Sequence, residues 1–223
     1  MIAIVCSCGW TAHASAQSAS TAPRPAGRFE VGIGFLWIGH DNLGTRGATE
    51  TVATGPRFVL FSTSTQLDAA LGAEARIGVH LTRVLEVDAE ASYSSPELRT
   101  TTSDDTENAN PAVASIGVKQ ITIGGLLVAH LPRLRIGARG VPFVEAGAGY
   151  LRQLYDTRAA AVSGQMYQFG GGMKYGLIAR PGRRLAGLGL RADLRAVART
   201  KGVAPDGRTH MSPAASASLW ASF

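Results

Sequence analysis

The sequence predicts an all-β protein: an eight-stranded antiparallel up-and-down β-barrel that crosses a membrane. Three observations predict it. Hydropathy alternates with a period of two along most of the chain, 27 of the 223 residues are glycine, and the connections alternate between long and short. A glycine inside a helix costs about 0.8–1 kcal/mol relative to alanine, which disfavours a helical bundle. Charged residues make up only 17% and apolar ones 45%, whereas a disordered chain needs high charge and low hydrophobicity. The longest apolar run, Ile121 to Leu131, is interrupted by Gly124, Gly125 and His130 and is too short for a spanning helix, which needs roughly 18–20 residues.

Successive side chains of a strand point to opposite faces, so each strand shows as an apolar row and a polar row. Phe29 to Gly39 sets Phe29, Val31, Ile33, Phe35 and Trp37 against Glu30, Gly32 and Gly34. The next strand sets Leu71, Ala73, Ala75, Ile77, Val79 and Leu81 against Gly72, Glu74, Arg76, Gly78 and His80. After only Thr82-Arg83, Leu85, Val87, Ala89, Ala91 and Tyr93 oppose Glu86, Asp88, Glu90 and Ser92, which reads as a tight hairpin. Ile116 to Leu131 carries Ile121, Ile123, Leu127 and Ala129 against Gln120, Thr122, Gly124 and His130. Val141 to Tyr155 places Val144, Ala146, Ala148 and Tyr150 opposite Glu145, Gly147 and Gly149. Met166 to Arg180 places Tyr167, Phe169, Met173, Tyr175 and Leu177 opposite Gln168, Gly170, Gly172, Lys174 and Gly176. In Leu185 to Arg199, Ala186, Leu188, Leu190, Ala192, Leu194 and Ala196 face away from Gly187, Gly189, Arg191, Asp193 and Arg195. Pro213 to Phe223 sets Ala215, Ala217, Leu219, Ala221 and Phe223 against Ser216, Ser218 and Ser222. A leftover apolar segment, Arg57 to Ser62, extends the first hairpin beyond the membrane or forms a short extra strand, and the extension is the expectation.

The connections 40–66, 96–113, 156–163 and 201–210 are long and polar, while 82–83, 132–140 and 181–184 are shorter. Long loops at one end and short turns at the other is the layout of outer-membrane barrels. Before the strands, Met1 to Trp10 is apolar and Ala14-Ser15-Ala16 offers small residues for signal peptidase, so residues 1–16 read as a cleaved signal peptide. The segment lacks a basic start, which leaves an upstream start open; a lipoprotein acceptor at Cys8 and an amphipathic tail are the rival readings. Residues 17–27 form a polar, proline-containing linker, and 28–223 form the barrel domain. Cys6 and Cys8 both fall in the removed segment, so the mature chain has no thiol for a disulfide, a metal or a nucleophile.

Alternation alone does not say which face meets water. A soluble carrier barrel would put the apolar face inside; a membrane barrel puts it against lipid. The charged face is also the glycine face, as the narrow interior of eight strands requires. That face carries both signs: Glu30, Glu74, Glu86, Asp88, Glu90, Glu145 and Asp193 with Arg76, Lys174, Arg191 and Arg195. Buried charges must be paired, so Glu74, Arg76, Glu86, Asp88, Glu90, Glu145, Lys174, Arg191, Asp193 and Arg195 are expected to form an ion-pair network across the lumen. The expected function is a structural or interaction-bearing barrel with at most a small gated pore. A narrow porin and a soluble carrier are the alternatives.

With Pro142-Phe143-Val144-Glu145-Ala146-Gly147-Ala148-Gly149-Tyr150 and the terminal Ser218-Leu219-Trp220-Ala221-Ser222-Phe223, residues 28–223 resemble the small outer-membrane β-barrel proteins related to the OmpA transmembrane domain and the opacity-type porins. The resemblance implies an outer-membrane location and lipid contact. It also implies recognition of Leu219, Ala221 and Phe223 by the barrel-assembly machinery. Aromatic residues are only 7%, so the interfacial girdles are expected to be thin.

Net charge is +6, and the excess sits in the short turns: Arg83, Arg133, Arg135, Arg139, Arg180, Arg183 and Arg184, with no acid among them. These arginines read as a periplasmic-rim patch near anionic headgroups or as a solvated rim. Nucleic-acid binding is not expected, because no aromatic platforms interleave with them. Asp104, Asp105 and Glu107 make the second long loop acidic, an ordinary solvated loop or a place for cation bridging to lipopolysaccharide; the loop ligand is left open. His210-Met211-Ser212 resembles the His-x-Ser pair of outer-membrane lipid A deacylases, but no acid follows it. The expectation is therefore no catalytic residue and no enzyme. Gly170-Gly171-Gly172 lies within a strand and is not a phosphate loop. His80 and His130 read as lumen polar groups rather than metal ligands, because no third ligand is spaced with them. Neither a metal nor a cofactor is called for.

Overall fold

The computed structural model describes residues 28–51, 57–103, 110–156, 161–180, 183–201 and 208–223. The predicted signal peptide and linker, and the acids Asp104, Asp105 and Glu107, lie outside these. The strands are β1 (Phe29–Ile38), β2 (Asp41–Thr51), β3 (Arg57–Leu67), β4 (Ala70–His80), β5 (Leu85–Ser94), β6 (Glu97–Ser103), β7 (Ala112–His130), β8 (Gly140–Tyr155), β9 (Ala161–Ala179), β10 (Gly187–Lys201) and β11 (Thr209–Ser222). Eight of them, β1, β4, β5, β7, β8, β9, β10 and β11, pair antiparallel in that order, and β11 returns to β1. The sheet is a closed ring. Phe29 and Phe223 exchange backbone hydrogen bonds of 3.2 and 2.8 Å at the seam, so the two ends of the domain close it together.

The faces fall as the alternation requires. Ile33, Phe35, Leu71, Ile77, Ile123 and Leu194 are exposed on the outside, and Glu30, Glu74, Glu86, Asp88 and Arg191 are buried inside. Outward aromatics form two sparse rows, with Phe29, Tyr175 and Phe223 toward the turns and Trp37, Tyr93, Tyr150 and Tyr167 toward the loops. From Phe29 to Trp37 a strand rises roughly 27 Å, or about 20 Å after a barrel tilt near 40°, close to the apolar band of a membrane barrel.

Lumen glycines let neighbouring strands pack closely along the wall. A Cβ at Gly189 would meet the ring of its cross-strand neighbour Trp220 at 2.5 Å, and one at Gly172 would meet the Ala192 carbonyl of the paired strand at 2.1 Å. The short turns are built from local hydrogen bonds. Thr82 Oγ1 accepts from the Val84 and Leu85 amides at 3.1 and 2.9 Å. The longer turn folds on itself through a 3-10 turn at Pro132–Leu134 and a bridge between Ile136 and Gly140, with Gly137 at φ 65°.

The first two long connections differ from expectation. Much of 40–66 and 96–113 is strand: β2, β3, β6 and the start of β7 pair in sequence as a sheet standing above the ring on one side. Arg57–Ser62 extends the first hairpin, as expected. The rest was hidden because Thr63-Ser64-Thr65 and Thr100-Thr101-Thr102 are polar on both faces and show no alternation, although β-branched threonine favours extended pairing. β9 and β11 also begin earlier than expected, at Ala161 and Thr209. A second correction concerns Ala186, which is buried rather than outward. It precedes β10, in the turn, where its amide donates to the Ser222 carbonyl and its own carbonyl accepts from the Arg180 amide, both at 2.8 Å, so it is enclosed between the ends of β9 and β11.

Candidate functional site

The lumen residues expected from the sequence, contributed by β4, β5, β8, β9 and β10, stack along the bore in two ion-pair groups, one around Arg76, Arg191 and Arg195 and one around Lys174, which Glu30 of β1 joins. Toward the loop side Arg195 donates to Glu90 Oε2 and Glu74 Oε2, both at 2.8 Å, and stands 2.9 Å from Asp193. Arg76 lies beside it, 3.1 Å from Glu74, 3.3 Å from Asp193 and 3.4 Å from Glu90. Ser216 on β11 donates to Asp193 at 2.9 Å and accepts from Arg76. One layer lower, Arg191 bridges Asp88 at 2.9 Å and Glu145 at 2.5 Å, with its guanidinium 4.5 Å from the centre of the Phe143 ring. β10 and β5 are diametrically opposite in the ring, so the Arg195–Glu90 and Arg191–Asp88 pairs span the whole bore.

The lowest layer, nearest the turns, holds Lys174, whose ammonium donates to Glu30 at 2.6 Å and to both Glu86 oxygens at 2.8 and 2.9 Å. His130 Nε2 is 2.6 Å from Glu86 Oε2. His80 stands between the two acids, with Nε2 3.6 Å from Glu30 and Nδ1 3.7 Å from Glu86. The premise that no third ligand accompanies the histidines is therefore corrected: Glu86 pairs directly opposite His80 across the hairpin, and β7 brings His130 to the same carboxylate. The register of the Thr82-Arg83 hairpin was the signal that could have shown it.

Charge in the network does not balance. Among the described residues, Glu30, Glu74, Glu86, Asp88, Glu90, Glu145 and Asp193 face only Arg76, Lys174, Arg191 and Arg195 as fixed cations, all of them buried. Nearer the loops, Arg199 and Asp41 make a separate pair at 3.2 Å.

Between these two polar zones lies a feature the sequence reading missed. Leu36, Ile38, Met166, Val197 and Ala214 form a buried apolar cluster inside the barrel. They sit at the parity of the polar face, so continuing the polar row of β1 past Gly34 to Leu36 and Ile38 was the available signal. The residual gaps inside the bore are small. One beside Asp88, Arg191 and Trp220 and one beside Met166, Arg195 and Arg199 each measure about 10 Å³, close to the minimum for a single water. A larger cavity of about 360 Å³ opens at the turn end, lined by His80, His130, Lys174, Arg135, Arg139 and Trp220 among others.

The remaining expected residues stay apart. Leu219, Ala221 and Phe223 lie on the outer face of the closing strand, with Phe223 and Leu219 about half exposed. The arginines 83, 133, 135, 139, 180, 183 and 184 are all exposed at the turn end. Ser212 is buried toward the lumen and its hydroxyl has no hydrogen-bond partner among the described residues. His210 lies 3.8 Å from Asp41, a carboxylate at the start of β2 that the sequence did not single out.

The sequence matches no protein-family model and no curated protein. Solved structures do match in shape. The chain aligns with Neisserial surface protein A at a TM-score of 0.53 and 12% identity, over 87% of this chain and 97% of that one. It aligns with the outer membrane protein OprG of Pseudomonas aeruginosa at 0.51 and 12%, over 90% and 97%. The fold is that of a small outer-membrane β-barrel. For this barrel the likeness establishes architecture alone. The outer membrane protease OmpT of Escherichia coli aligns at only 0.36 with 10% identity, over 92% and 100%, and carries no argument.

Proposed function

We propose that this barrel is a closed, non-catalytic outer-membrane anchor. Its turns face the periplasm, and the sheet of β2, β3 and β6 stands outside the cell as a surface for interaction. One observation carries the reading: the bore is occupied in series, by the ion-pair network and, on its loop side, by Leu36, Ile38, Met166, Val197 and Ala214 packed opposite Ser92, Gln120 and Thr122, and the gaps beside Asp88 and Arg191 and beside Met166 and Arg195 are about 10 Å³ each. The exposed apolar exterior and the two aromatic rows support lipid contact. The outward Leu219, Ala221 and Phe223 support recognition of the last strand by the barrel-assembly machinery. The exposed arginines at the turn end support contact with anionic headgroups. Ser212 points into the bore, away from acyl chains, which supports a role without lipid hydrolysis.

Reconstitution in a planar lipid bilayer in molar KCl tests this reading. The closed anchor gives no discrete current steps, and an Arg191→Ala/Arg195→Ala variant stays silent because the apolar belt remains. Steady steps from the unaltered protein would make it a narrow porin. Steps that appear only on arginine removal would make the network a gate.

A further inference from the structure

From the lowest layer of the lumen we infer that His80, Glu86 and His130 form a binding site for a first-row divalent metal ion, of which zinc is the representative. One nitrogen of each histidine and one carboxylate oxygen all lie within 4.8 Å of one another. Two imidazoles and a carboxylate are the donor set of open zinc sites, in which three protein ligands leave a fourth position for water.

The atoms are placed for this role. His80 Nδ1 stands 3.7 Å from Glu86 Oε2, too far for a hydrogen bond. That spacing is close to the roughly 3.3 Å edge of a tetrahedron whose metal–ligand bonds are about 2.0–2.1 Å. His130 Nε2, at 2.6 Å from the same oxygen, would withdraw by under about 1 Å to reach that edge. The other nitrogen of His80 stands 3.6 Å from Glu30 Oε2, too far for a hydrogen bond in this structure but on the side where a second carboxylate would orient a ligating imidazole once the ring moves onto the metal. Lys174 also donates to the ligating oxygen, Glu86 Oε2, at 2.8 Å, and keeps Glu86 Oε1 and Glu30 Oε1 at 2.9 and 2.6 Å, so the metal would displace one of its three hydrogen bonds and leave two. The fourth position opens toward the cavity of about 360 Å³ at the turn end, which His80 and His130 help to line.

A second observation points to a cation independently of this geometry. The buried network holds more carboxylates than fixed cations, and excess negative charge in a desolvated bore must be met by protons or a positive ion. The histidine layer is the part of the network that reaches the cavity. The arginines along that route are exposed, where their repulsion is screened within a Debye length of about 8 Å.

The test is zinc binding measured calorimetrically on the full chain refolded in detergent without an affinity tag. Cys6 and Cys8 are replaced by serine so that their thiols do not compete. The site predicts one zinc per chain, weakened at least tenfold, by order of magnitude, in His80→Ala and in His130→Ala, and unchanged in His210→Ala. His80→Ala is the decisive variant because His80 has no hydrogen bond in this layer to lose; the SDS mobility of the unboiled protein shows that its barrel is intact. Absence of stoichiometric binding, or binding that His80→Ala leaves unaltered, would overturn the inference; in the first case protons alone compensate the excess charge. Neither outcome bears on whether the bore conducts.

Discussion

The two halves of the bore are closed by different physics. Toward the turns the filling is ionic and shared: Glu74 serves both Arg76 and Arg195, and Glu145 serves Arg191 with Arg76 close by. Toward the loops Leu36, Ile38, Met166, Val197 and Ala214 pack together on one wall, against the neutral polar side chains of Ser92, Gln120 and Thr122, with the single Arg199–Asp41 pair beyond them. An ion-pair network is cooperative because removing one member takes a partner from several buried charges at once. A packed belt loses only the contacts and the volume of the group removed. The same narrow cylinder is thus fragile to single charge changes in one half and graded in its response in the other.

The sharpest break in this contrast is Arg195→Ala. It strips a partner from Glu74, Glu90 and Asp193 at once, and should cost about 3–5 kcal/mol, read as a shift of the urea unfolding midpoint in detergent or lipid. Met166→Ala in the belt should cost about 2–4 kcal/mol through the cavity it leaves, with bilayer currents still absent because the ionic layers remain below it. A smaller effect is expected where the wall itself is crowded. Gly189→Val drives a side chain into Trp220 and the Tyr175 carbonyl, and should cost about 1–3 kcal/mol by overpacking. The smallest belongs outside the bore: Thr101→Ala, in the half-exposed sheet above the ring, should stay within about 0.5 kcal/mol. Equal costs for Arg195→Ala and Thr101→Ala would dissolve the distinction between lumen and overhang.

The barrel was legible in the sequence because two-sided burial writes itself as alternation. From Phe29 to Trp37 the outward and inward rows separate without exception up to Gly34, and the charge network of β4, β5, β9 and β10 follows from the same parity. Three things were not legible. The overhang of β2, β3 and β6 is wet on both faces, so its threonines carry no period. The belt places Leu36 and Met166 on the polar row, where an apolar residue reads as noise until the opposite wall is known. The His80–Glu86–His130 layer joins residues whose spacing along the chain means nothing until the hairpin register aligns His80 with Glu86 and β7 is laid beside them.

The central claim is a closed ring of strands whose apolar face meets lipid and whose charged face is sealed inside. It is tested most directly by SDS electrophoresis of the refolded chain, residues 17–223, with and without boiling. A closed ring has no strand edge to fray and stays compact in unheated SDS, so the account predicts a shift in mobility on boiling and insolubility without detergent. Identical mobility before and after boiling, with protein soluble in buffer alone, would contradict it and would make the apolar face the interior of a soluble carrier.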